Sequence, residues 1–154
     1  MKTLLISLLF STSCLAQQEA SPPTYRTRTL DQKNIAKIHL DKEGSQTYTY
    51  LSGEKDFLKE LTQYYQAIVP HTIQLQSTAI NYIKDNYYLQ TNTTTHSITT
   101  LLHKVMVRDI NTPYLIIGTN HCIVAHHSNL CYPHQDGMNC IDQQSHCQKI
   151  NSKK

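Results

Sequence analysis

The sequence predicts an α+β fold in one small domain, with an N-terminal β-hairpin, about three α-helices, a C-terminal β-hairpin and a disulfide-braced tail. Three observations predict it. Short alternating runs open the ordered part of the chain, apolar residues recur at helical spacing through its middle, and four cysteines crowd the segment after position 121.

Before the domain comes an address. Met1 and Lys2 are followed by the apolar run TLLISLLF and by the small residues around Ala16, the pattern of a secretory signal over residues 1–16. Its apolar stretch is shorter than the roughly 20 residues a bilayer span needs, so the reading contains no transmembrane segment. Cleavage near Ala16 places the mature chain outside the cell or in the periplasm. Cys14 offers a partial match to a lipoprotein signal, with Ser11 where leucine is usual. Residues 17–24 (QQEASPPT) read as a flexible leader, and residues 25–150 as the single domain.

Within that domain, residues 35–40 (IAKIHL) and 46–51 (QTYTYL) alternate on either side of DKEGS, which predicts a hairpin. From Glu54 to Val69, Phe57, Leu58, Leu61, Tyr64, Tyr65 and Ile68 share one helical face. Ser52 is placed to cap that helix and Pro70 to end it. Ile73, Ile80, Ile83 and Tyr87 suggest a second helix over 71–89. The threonine-rich turn at 91–95 leads to a third helix over about 96–108, on the spacing of Ile98, Leu101, Leu102 and Val105. Residues 114–117 and 122–125 read as two strands joined across Gly118, Thr119 and Asn120. Asn92 opens a glycosylation sequon that a polar turn between helices already explains.

Charge narrows the partners. The chain has 14 basic and 11 acidic residues, and removal of Lys2 leaves 13 against 11. A formal charge of +2 with scattered lysines and arginines lacks the dense basic face of a nucleic-acid binder. No nucleic-acid partner is expected. The chain instead has ten tyrosines, nine histidines and no tryptophan. Tyrosine offers large amphipathic contact area, so the leading functional expectation is an exported, non-enzymatic binding protein that meets a protein or glycan through a tyrosine- and histidine-rich surface.

Cys122, Cys131, Cys140 and Cys147 are even in number and lie in a chain bound for an oxidising compartment, which predicts two disulfides with three possible connectivities. Five of the nine histidines are interspersed among them. This makes a zinc or copper site the alternative reading, with His121, His127, His134 and His146 as candidate ligands. Against it, the cysteines are separated by eight, eight and six residues, wider than the two to four of ordinary zinc modules. The second alternative is a small hydrolase or nuclease using His103, Lys104 and either His121 or His127 in acid–base chemistry. The chain lacks the GxSxG, HExxH and phosphate-loop motifs, so no catalytic residue is assigned and no cofactor is required.

Overall fold

The computed structural model describes residues 30, 33–70, 72–107, 112–125, 131–142 and 146–151. The expected signal, leader and Cys14 lie outside the described residues. The elements run in the order β1 (Asn34–Leu40), β2 (Gln46–Tyr50), α1 (Glu54–Ile68), β3 (Leu75–Ile83), β4 (Asn86–Thr93), β5 (His96–Val107), β6 (Thr112–Ala125), β7 (Cys131–Pro133), β8 (Cys140–Asp142) and β9 (Gln148–Asn151). The α+β expectation with three helices is therefore overturned. The protein is mostly β, with one helix and a nearly closed, barrel-like sheet.

All ladders of the main sheet are antiparallel, in the order β2-β1-β6-β5-β4-β3. The fourteen-residue β6 is shared along one edge: its first half pairs with β1, through Tyr114 to Ile116, and its second half with β9, through Asn120 to Ile123. The sheet curls enough for Tyr48 of β2 to meet Tyr87 of β4 edge to face, 6.3 Å between ring centroids.

The N-terminal hairpin and the first helix lie where the alternation and the 3.6-residue spacing put them. Gly53, rather than Ser52, is the N-cap, and no side chain bonds the helix start. The two further helices are instead strands. The 71–89 stretch spans β3 and the start of β4, reversing at Lys84 and Asp85, both at positive φ (47° and 64°). Such a turn normally advertises itself with Asn-Gly. The 96–108 stretch contains β5, which is buried on both faces from Ser97 to Leu102, so it lacks the alternation of a half-exposed strand. The two expected C-terminal strands are one, because Gly118 continues β6 instead of turning it. A Cβ at Gly118 would stand 2.6 Å from the Leu101 carbonyl oxygen, so the close approach of β5 requires glycine there.

The helix packs inside the curl. Phe57, Leu61 and Tyr65 are buried against Ile35, Ile38, Leu89, Ile98, Leu102, Leu115 and Ile117, which form the main core. Tyr50 stacks on Phe57 at 4.5 Å. On the convex face, the tail covers β4, β5 and β6. Tyr132 packs on Tyr88 and Leu101, and β7 pairs with β8. Cys122 is bonded to Cys140 and Cys131 to Cys147, which fixes the connectivity that spacing left open. Each bridge closes a loop of fewer than 20 residues and contributes about 3 kcal/mol by restricting the unfolded tail.

Candidate functional site

The candidate ligands of the metal reading occupy different parts of the molecule. His121 pairs with Thr100 across β5 and β6 and faces the concave side. It is fully buried, with Nδ1 2.9 Å from the Thr100 hydroxyl and Nε2 3.1 Å from that of Tyr64. The Tyr65 hydroxyl lies 2.6 Å from the same threonine oxygen. This relay ties α1 to the sheet. Burial holds the imidazole neutral by lowering its pKa from 6.5 to about 4. The same burial raises the pKa of Tyr65. Enclosed and bonded through both nitrogens, His121 is a cross-brace between helix and sheet.

His134 lies in the tail, 2.9 Å from Asp136, and His146 is exposed in the same tail. His127 is outside the described residues. Among the described residues, the close group of metal-ligating atoms is the sulfurs of Cys122, Cys140 and Cys147, within 4.8 Å of one another, and all three are in disulfides. A disulfide sulfur is not the thiolate that zinc or copper(I) takes. Of the hydrolase candidates, His103 and Lys104, successive residues of β5, both line one recess at the exposed end of that strand, while His121 is buried under α1 away from them.

The expected tyrosine surface is largely interior. Of the nine described tyrosines, Tyr65, Tyr87, Tyr88 and Tyr132 are buried, Tyr48, Tyr50, Tyr64 and Tyr114 are half-buried, and Tyr82 is exposed. With no tryptophan and two phenylalanines, tyrosine supplies the large rings of the core. Asn92, the sequon residue, lies in β4 rather than in a turn between helices, bonded to Ser77 and Ser97.

Among the described residues, one end of the curl remains open. The β1–β2 and β3–β4 turns fall at that end together with the end of β5 and the start of β6, because each ladder is antiparallel. Register places Leu40, Tyr48, Tyr82, Tyr87, Lys104 and Met106 on its concave face. Leu40 pairs with Gln46, Tyr48 with Ile38, Tyr82 with Tyr87, Tyr87 with Leu102, Lys104 with Leu115 and Met106 with Pro113. The helix leaves this end uncovered. Leu40 is 63% exposed, Met106 53% and Tyr82 47%. The rings of Tyr48, Tyr87 and Tyr82 form a continuous bridge from β2 to β3, with Tyr82 and Tyr87 4.8 Å apart. Beside it lies a recess of about 320 Å³ lined by Tyr82, Asp85, Asn86, Tyr87, Leu102, His103 and Lys104. The Tyr82 hydroxyl donates to Asp85.

This aromatic mouth is not visible in the sequence, because it assembles from five strands, of which β3, β4 and β5 carry apolar residues at helical spacing. No alternation marks it, because the run Leu101-Leu102-His103-Lys104-Val105-Met106-Val107 at the end of β5 sets apolar residues on both faces. Among the described residues, no helix is long and apolar enough to cross a membrane. Comparison of the chain with protein-family models, with curated proteins and with solved structures finds no match to any of the three.

Proposed function

We propose that this chain is an exported binding protein, braced by two disulfides, that engages a macromolecular partner through the open end of its curled sheet. The observation that carries the reading is the clustering of Leu40, Tyr82 and Met106, three of its large exposed hydrophobic residues, on one face at one end. Exposed apolar groups gathered around a concavity mark interaction sites, whereas single ones need no explanation. The rest of the conspicuous chemistry has a structural use. The buried histidine and its tyrosines hold the helix, and the cysteines hold the tail.

The test is site-specific photo-crosslinking in the exporting cell. Benzoylphenylalanine in place of Tyr82 is expected to capture a discrete partner. The same group in place of Thr47, an exposed residue on the opposite face of β2, is expected to capture none. Equal capture from both positions, or capture from position 47 alone, contradicts the reading.

A further inference from the structure

Charge is distributed unevenly between the faces of the sheet. Lys37, His39 and Lys149 fall on the convex face, since they pair with Thr49, Thr47 and Cys122. On the concave face, the described residues of β1 to β6 and β9 carry a single formally charged side chain, that of Lys104. It stands in the open mouth and is exposed. Among the described residues no carboxylate lies within 4 Å of it, although Asp85 shares the recess. The carboxylate of Asp85 is engaged by the Tyr82 hydroxyl.

A cation with no ion-pair partner among the described residues, on the same face and at the same end as Leu40, Tyr48, Tyr82, Tyr87 and Met106, has the layout of a site for an apolar group with an adjoining anion. The recess is at the small end of ligand pockets, roughly 300–1,000 Å³, which suits side chains laid across the mouth rather than an enclosed cofactor. Asp85, Asn86, His103 and Lys104 give the recess hydrogen-bonding groups, but Leu40 and Met106, on the same face outside it, offer none to the hydroxyls of a sugar laid across the mouth, and burying those hydroxyls unpaired is costly. Charge and apolarity together therefore favour peptide over glycan.

We infer that the mouth binds an acidic peptide segment of the partner, with an apolar or aromatic side chain against Tyr82, Tyr87 and Met106 and the neighbouring Asp or Glu carboxylate on Lys104. The inference rests on the binding reading above and names the chemistry of the partner at that site. The contact of a partly exposed charge pair is worth about a three- to fivefold change in affinity, and it weakens as salt rises.

Selection of displayed random heptapeptides on the full, disulfide-intact protein tests this. The expected result is enrichment of peptides with Asp or Glu next to an apolar residue. These should bind Lys104→Gln about three- to fivefold more weakly, bind Lys104→Arg nearly as well as the original, and lose binding to the Leu40→Ser/Met106→Ser double variant. Enriched peptides without an acidic bias that still need Leu40 and Met106 overturn the acidic assignment and leave the mouth as the binding site. Peptides indifferent to the double variant overturn both readings. Failure to enrich any peptide, or stronger protection of the mouth by a uronic-acid oligosaccharide, overturns the peptide assignment in favour of another partner class.

Discussion

His121 shows how one side chain can be conspicuous in sequence for one reason and placed in the fold for another. Among the cysteines it suggests a metal ligand. In the molecule, the pleat turns it away from the sulfur of neighbouring Cys122 and under α1, where Thr100 and Tyr64 occupy its nitrogens. Its pKa is lowered from 6.5 to about 4, so between these values the unfolded chain takes up a proton that the folded chain refuses. The stability this provides is complete above about pH 6.5 and is lost as pH falls toward 4. A shift of that size corresponds to about 3 kcal/mol. We predict that His121→Gln, which stays neutral, flattens the decline of unfolding free energy between pH 7 and pH 4 by about that amount in urea titrations. An unchanged decline would show that the imidazole does not carry the effect.

The elements differ in how much of themselves they wrote into the sequence. The hairpin of β1 and β2 has one face inward and one outward, so its alternation survived, as did the single amphipathic stripe of α1. Strand β5 did not, because its first half lies between the helix below and the disulfide-tied tail above. Ile98, Leu101 and Leu102 fall by coincidence at helical spacing. The β3–β4 reversal was hidden because Lys84 and Asp85 adopt positive φ without glycine or asparagine. That strained turn makes its own prediction. Replacing Lys84 and Asp85 by Asn and Gly should raise stability by about 1 kcal/mol, the gain expected when turn residues match a left-handed backbone. Calorimetry showing a lower Tm would mean that the Asp85 contact to Tyr82 outweighs the relief. The even cysteine count made the bridges legible but not their pairing, which depends on β7 and β8 folding back over β6.

The whole molecule is asymmetric about its sheet. The tail and its two disulfides cover the convex side over β4, β5 and β6, and α1 fills the core of the concave side. Among the described residues, Leu51 and Met138 are exposed singly elsewhere, but at the open end Leu40, Tyr82 and Met106 together keep apolar side chains in water. If those side chains served the core, removing them would destabilise the fold; if they serve a partner, stability should hardly respond. The most direct measurement is therefore the Leu40→Ser/Met106→Ser double variant, followed by thermal unfolding and by crosslinking from position 82. Exposed substitutions of this kind change stability by about 0.5 kcal/mol or less each, a Tm shift of about 4 °C or less apiece. A binding role for the open end predicts that modest shift together with loss of the captured partner. A Tm lower by more than about 15 °C with capture undiminished would contradict it, and would make the open end part of the core rather than the place of binding.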